Sequence, residues 1–234
     1  NFPAMARGLV AMFWYGAQTY AASTAVALLI SGITGNQGEV MFLGMTGVMW
    51  ISFIFVSLFQ IYLFWQGIDL IKRFLNFAGP AVYVVMIVLM IAIWTKAGGG
   101  LLSQVGSIFS GGNRSGEFEG LGAISAFVAV FSIMVGYFAA VVINFGDFAR
   151  FVSSEDEMRK GNLWGLVGNV VFFSFITLMI TGGTIAIFGE YIAEPTAMVA
   201  RVDNMFLTII AAFAFFAATV GINMVANFIP PAYD

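Results

Sequence analysis

The sequence predicts an all-α membrane protein with six transmembrane helices, and three observations carry that prediction. Of 234 residues, 61% are hydrophobic and 9% charged, and the mean hydropathy is +0.97. A single water-soluble core cannot hide that much apolar surface, so lipid is the expected solvent. The apolar residues also fall into runs of roughly 20, the length a helix needs to cross about 30 Å of hydrocarbon. Between the runs lie the turn-forming and charged residues.

The first run, Gly8 to Ile33, carries the string Phe13-Trp14-Tyr15-Gly16-Ala17-Gln18-Thr19-Tyr20. A polar turn from Thr34 to Glu39 separates it from the second, Met41 to Phe64. The third, Phe74 to Trp94, has Pro80 near its start, where proline serves as a helix-entry or kink residue. A Gly- and Ser-rich break from Lys96 to Gly120 follows, with room for a short amphipathic piece around Leu101 to Phe109 or for a flexible surface loop.

In the fourth run, Ile124 to Asn144, Gly136 and Tyr137 stand together at mid-membrane depth. Glycine there can let a helix unwind toward a ligand, or can simply allow a close helix crossing. Glu155, Asp156 and Glu157 read as a solvated helix start before the fifth run, Leu163 to Phe188. Within that run Thr177, Thr181 and Thr184 lie beside Gly182-Gly183, a pattern of backbone-bonded hydroxyls and tight helix packing. The sixth run, Met205 to Phe228, is followed by Pro230-Pro231-Ala232-Tyr233-Asp234, so that the sequence stops straight after a helix. No soluble domain interrupts the six, so residues 1–234 form a single transmembrane domain in this reading. Lys and Arg divide six against three between alternate loops, which places the start of the first run and the end of the sixth in the cytoplasm. With neither an initiator Met nor a signal-peptide pattern at Asn1-Phe2-Pro3, the chain reads as an interior piece of a longer protein.

Composition also removes functions. The absence of Cys and His excludes disulfides, thiolate and imidazole metal sites, His-ligated haem and Ser-His or Cys-His nucleophile pairs. A net charge of -3 offers no basic face to nucleic acid. No enzyme active site can be assembled from what is left, and no cofactor is expected.

Two amide faces break the apolar pattern. Trp14 and Gln18 are four residues apart in the first run, and Asn223 and Asn227 are four apart in the sixth, so each pair shares a helix face. An unpartnered amide in hydrocarbon costs roughly 1 to 3 kcal/mol or more. A lone intramembrane Asn can serve only as an interhelical bond worth about 0.6 kcal/mol. Two such faces, one with an indole, point instead to a shared polar pocket for a flat, hydrogen-bonding ring. Ionisable residues are missing at mid-depth; Asp147 and Arg150 sit at the membrane edge, as an anchor with its counter-ion or as an inward gate.

Four strings in order resemble the nucleobase-cation-symport-1 family of permeases. They are Phe13-Trp14-Tyr15-Gly16-Ala17-Gln18-Thr19; Gly67-Ile68-Asp69-Leu70-Ile71-Lys72 leading to Ala78-Gly79-Pro80; Asn144-Phe145-Gly146-Asp147-Phe148-Ala149-Arg150-Phe151; and Asn223-Met224-Val225-Ala226-Asn227-Phe228-Ile229-Pro230-Pro231-Ala232-Tyr233-Asp234. The resemblance implies a twelve-helix fold of two five-helix inverted repeats, of which this chain would be helices 3 to 8. Residues 1–96 would end repeat one, 97–123 form an external loop, and 124–234 begin repeat two. The remaining helices of the full-length chain would be its partners. It further implies that Trp14 stacks on the substrate ring, Gln18 hydrogen-bonds it, Gly136 and Tyr137 mark a helix break with a second aromatic, and Asn223 and Asn227 supply amides. Tyr137 in place of an indole would shift substrate preference. Sodium-coupled members carry hydroxyl side chains where this chain has Gly221 and Ile222; with only the Ala218 carbonyl left nearby, the coupling ion is expected to be a proton, or sodium at a weakened site.

The expected function is therefore secondary active transport of a nucleobase or related heterocycle, such as allantoin, uracil, cytosine or hydantoin, across the cell membrane. The alternatives are an amino-acid or other small-solute carrier of the same fold and a non-transporting structural subunit.

Overall fold

The computed structural model describes residues 2–36, 38–110, 121–192, 195–201 and 204–232, with a few side chains inside these ranges, that of Tyr137 among them, left undescribed. In chain order the helices are α1 (Phe2–Thr34), α2 (Gly47–Trp65), α3 (Ile68–Ala97), α4 (Gly99–Phe109), α5 (Leu121–Ile143), α6 (Phe145–Ala149), α7 (Glu155–Asn162), α8 (Asn169–Phe188), α9 (Pro195–Arg201), α10 (Met205–Asn223) and α11 (Ile229–Ala232). The described residues contain no strand beyond an isolated bridge between Val40 and Thr46.

Helices cover all six apolar runs, but four described segments are both long and apolar enough to cross a membrane. These are Gly47–Trp65, Ile68–Ala97, Glu155–Phe188 and Met205–Ala232. Although α1 is 33 residues long, its many Ala, Gly, Ser and Thr residues dilute its apolar character below that of the four. In α5 the described apolar stretch, Gly122–Gly136, is shorter. The second helix starts later than its apolar run, because Phe42–Gly44 forms a 3-10 turn and the Thr46 hydroxyl caps α2 by accepting from the Met49 amide at 3.2 Å. The third begins earlier, at Ile68, so Pro80 lies inside α3 and not at its entry.

The chain packs as two compact units, Asn1–Ile91 with Ile192–Asp234, and Ala92–Tyr191. In the first unit α1 packs along α10 and α2. Small residues make the α1 to α10 approach close: Ala22, Ala25 and Ala27 on one helix and Ala211, Ala212, Ala214 and Ala217 on the other are all buried. Without a hydrophobic drive between helices in lipid, such small faces let backbones touch and gain dispersion contacts. Beside them Ala22, Val56, Leu63, Ile71, Val220 and Met224 form the apolar core of the unit, ringed by Phe59, Phe74, Phe216 and Phe228.

The second unit is held by α4 against α8. The amphipathic piece anticipated in the long break is α4, while residues 111–120 of that break lie outside the described set. A Cβ added at Gly182 would stand 2.6 Å from Val105 Cγ2, and one at Gly183 would collide with Ile93 Cγ2, so the glycine pair admits its neighbours at backbone distance. Thr177 and Thr184 donate to the Phe173 and Thr181 carbonyls at 2.9 and 2.8 Å, which leaves their hydroxyls satisfied within the helix. At the head of this region Ser154 caps α7 by accepting from the Glu157 amide at 3.3 Å, and Arg159 pairs with Glu155 one turn on at 2.7 Å.

Candidate substrate site

The polar residues of the first unit converge. One place in its helices departs from simple α geometry and delivers an amide to the α1 to α10 seam. At the end of α10 the helix widens into a π turn over Met224–Phe228, in which the Ile229 amide reaches back five residues to the Met224 carbonyl. Proline at 230 and 231 explains the widening: neither has an N–H to donate to the carbonyls of Ala226 and Asn227, so the ladder there is free to re-register. Both prolines lie within α11. Asn227 rides on the wide turn.

A continuous hydrogen-bonded network results. Asn227 Nδ2 donates to Gln18 Oε1 at 2.9 Å and to Asn223 Oδ1 at 2.7 Å. Asn223 Nδ2 in turn meets Gln60 Oε1 at 2.6 Å, Thr19 Oγ1 at 3.2 Å and the Tyr15 carbonyl at 3.2 Å. Gln60 Nε2 donates to Thr19 Oγ1 at 3.0 Å and to the Val56 carbonyl at 3.4 Å, and the Thr19 hydroxyl donates to the Tyr15 carbonyl at 2.6 Å. Thr19, Gln60 and Asn223 are fully buried, and among the described residues no buried side-chain nitrogen or oxygen is left without a partner. Full satisfaction is what makes three buried polar side chains tolerable in an apolar unit.

The outer members of the network are less enclosed. Gln18 and Asn227 are partly exposed. Their mutual bond leaves Asn227 Oδ1, an acceptor, and Gln18 Nε2, a two-hydrogen donor, with no protein partner among the described residues. One turn before Gln18 on the same helix face stands Trp14, whose ring is 51% exposed and touches Phe13 edge-to-face at 5.8 Å. Next to Asn227 a cleft of about 280 Å³ opens between the start of α1 and the end of the chain's last helices, lined by Gly8, Ala11, Met12, Tyr15, Ile61, Phe228 and Pro231. Neither Trp14 nor Gln18 lines it.

Gly136 and Tyr137 belong to the second unit, and the expected helix break is not there: α5 runs unbroken from Leu121 to Ile143. Among the described residues nothing lies within 4 Å of a Cβ added at Gly136. A glycine in a helix interior loses only about 1 kcal/mol, less than freeing backbone groups in hydrocarbon, so the ladder stays closed. Near the anticipated cation position, Gly221 is buried and a Cβ there would lie 3.0 Å from Leu75 Cδ2, while Ile222 is 54% exposed. Among the described residues no group of three acidic side chains converges that could hold a metal ion. Asp147 and Arg150 pair with each other at 3.0 Å.

Sequence reasoning found Gln18, Asn223 and Asn227 but missed Gln60 and Thr19. Gln60 is the one amide in the apolar helix α2, the same signal that singled out the asparagines.

Comparison with known proteins gives the context for this geometry. A family model described as permease for cytosine/purines, uracil, thiamine, allantoin matches residues 1–234. Curated relatives include the allantoin permease of Bacillus subtilis (strain 168), 31% identical over all of this chain and 47% of its own length. The purine-uracil permease NCS1 of Arabidopsis thaliana is 27% identical over 99% of this chain and 38% of its own, and the putative allantoin permease of Escherichia coli (strain K12) 27% over all of it and 48% of its own. The chain thus spans about half the length of the curated relatives it matches. No solved structure matches it. Family and relatives are transport proteins and not enzymes, which together with the apolar helices makes this an integral protein of the cell membrane. The chain belongs to the family of permeases for cytosine and purines, uracil, thiamine and allantoin.

Proposed function

We propose that the full-length protein is a secondary active transporter for a nucleobase or related ureide heterocycle, working by alternating access around a site on the α1 to α10 seam. The observation that carries the reading is the pair of unspent groups on Gln18 and Asn227. An imide or ureide edge sets an N–H beside a C=O; Asn227 Oδ1 would accept from the first and Gln18 Nε2 donate to the second. Trp14, one turn along α1, offers an apolar face against which a flat ring gains contact area without regard to its substituents. Asn223 holds Asn227 in place from below. For Gly136 and Tyr137 the resemblance alone speaks, and the reading of the amide pair does not depend on them.

The six helix-covered runs correspond in this reading to helices 3 to 8 of a twelve-helix fold with two inverted five-helix repeats, the other helices being supplied by the rest of the full-length chain. Coupling is to protons, or to sodium at a weakened site. Leu75 fills the space that a side chain at position 221 would need, and Ile222 has no oxygen to offer a hard cation, which supports a degenerate sodium site near Ala218. Uptake of radiolabelled uracil or allantoin by the full-length protein, with competition from other heterocycles and from amino acids, tests the reading. Competition by heterocycles alone is expected; competition by amino acids alone would point to a carrier that captures carboxylates, and no saturable uptake or binding would point to a structural subunit.

A further inference from the structure

The buried half of the network has a direction. Its two ends are backbone carbonyls, those of Tyr15 and Val56, which can only accept hydrogen bonds. The single hydrogen of Thr19 goes to the Tyr15 carbonyl at 2.6 Å, so Thr19 Oγ1 faces Gln60 as an acceptor. Gln60 must therefore present its NH2 to Thr19 and Val56, and its Oε1 to Asn223. Asn223 then presents NH2 to Gln60, Thr19 and the Tyr15 carbonyl, and Oδ1 to Asn227; Asn227 presents NH2 to Asn223 and Gln18. What is left facing outward is one acceptor on Asn227 and one donor on Gln18. Each amide could be turned over by itself at no covalent cost, but turning Gln60 or Asn223 sets two acceptors or two donors against each other among fully buried side chains, and that loss is the full desolvation of the stranded groups.

Resting on the transport reading above, we infer that Gln60 and Thr19 are positioning residues that fix which hydrogen-bonding edge the site can read. They touch no ligand. They lock the amide of Asn227 with its oxygen outward, so that the ligand must bring an N–H to it, and they do so from α2 and from the buried side of α1, out of reach of the outer pair. The outer amides alone could read either polarity, because an unsupported carboxamide rotates to suit its partner. With the buried members attached, a ring whose edge carries acceptors only is refused.

The test uses the purified full-length protein and measures affinity for uracil, whose edge sets N–H beside C=O, and for pyrimidine, a ring of similar size whose nitrogens only accept. Wild type is expected to prefer uracil. Gln60→Met keeps the length of the side chain and removes both polar atoms; Thr19→Val keeps the shape and removes the hydroxyl. Each is expected to weaken uracil binding by about tenfold and to shrink the uracil-to-pyrimidine preference, since each removes one of the three acceptors, Gln60 Oε1, Thr19 Oγ1 and the Tyr15 carbonyl, that hold the Asn223 amide in its orientation and loosens Asn227 with it. Thr19→Ser restores the hydroxyl and is expected to restore the preference, which a loss of packing alone would not predict. Equal weakening for both ligands, with the preference intact in Gln60→Met and Thr19→Val, would overturn the proposal while leaving the transport reading standing. A wild type that binds no heterocycle would overturn both.

Discussion

Asn227 and Gln18, 209 residues apart in the chain, meet through a single hydrogen bond of 2.9 Å between their amides. The bond closes the outer rim of a network whose floor is Asn223, Gln60 and Thr19, and it depends on a π turn that two prolines make possible. From these relationships follow consequences that experiments on the full-length protein can read.

Asn227→Asp changes one atom of the rim and reverses its chemistry. Its two donor contacts, to Gln18 Oε1 and Asn223 Oδ1, become contacts between acceptors. Heterocycle affinity should fall by about tenfold or more, because a group left facing the wrong partner costs about 1 to 3 kcal/mol. Isothermal titration or quenching of tryptophan emission measures it; unchanged affinity would separate Asn227 from the site.

Replacing Pro230 and Pro231 together by Ala gives the carbonyls of Ala226 and Asn227 ordinary helical donors. The π turn is then expected to tighten to α geometry, turning Asn227 away from Gln18. Heterocycle affinity should drop while the protein folds at least as well, since Ala is the better helix former by roughly 3 kcal/mol per residue in a helix interior. Thermal unfolding and ligand titration on the same sample separate the two effects.

Gly183→Ala addresses packing in the second unit. The new methyl would run into Ile93 and sit 3.3 Å from Leu101. Overpacking of this kind costs typically about 1 to 3 kcal/mol. A lowered unfolding temperature in detergent is expected, with ligand affinity of the remaining folded protein unaltered.

Replacement of sodium by choline in the uptake assay should leave most transport intact, given Gly221 packed against Leu75 and the exposed apolar Ile222. Near-complete loss would mean that a working sodium site is assembled from groups outside this seam.

Much of the fold was legible because apolar runs of helix length need no tertiary information, and the polar breaks show where they end. The acid-rich start of α7 was visible in local pattern, and the amphipathic helix α4 was one of two readings that the pattern left open. What the pattern hid was register. Pro230 and Pro231 lie within α11, and the π turn that precedes them leaves no mark in the apolar pattern. Gly136 read as either an unwinding point or a close helix crossing, yet a lone glycine does not open a helix whose neighbours leave its backbone bonds undisturbed. Of the site, the paired amides stood out because four-residue spacing marks a face, whereas Gln60 has no companion on its own helix and finds its partners on α1 and α10. Partnership across helices is not written in spacing along one of them.

The most direct measurement is a double-mutant cycle on heterocycle affinity in the full-length protein, with Gln18→Ala, Asn227→Ala and both together. Each single change is expected to weaken binding, and the double change to weaken it by much less than the two combined, because each residue orients the other. Wild-type affinity in both single variants would contradict the assignment of this amide pair as the reader of the substrate.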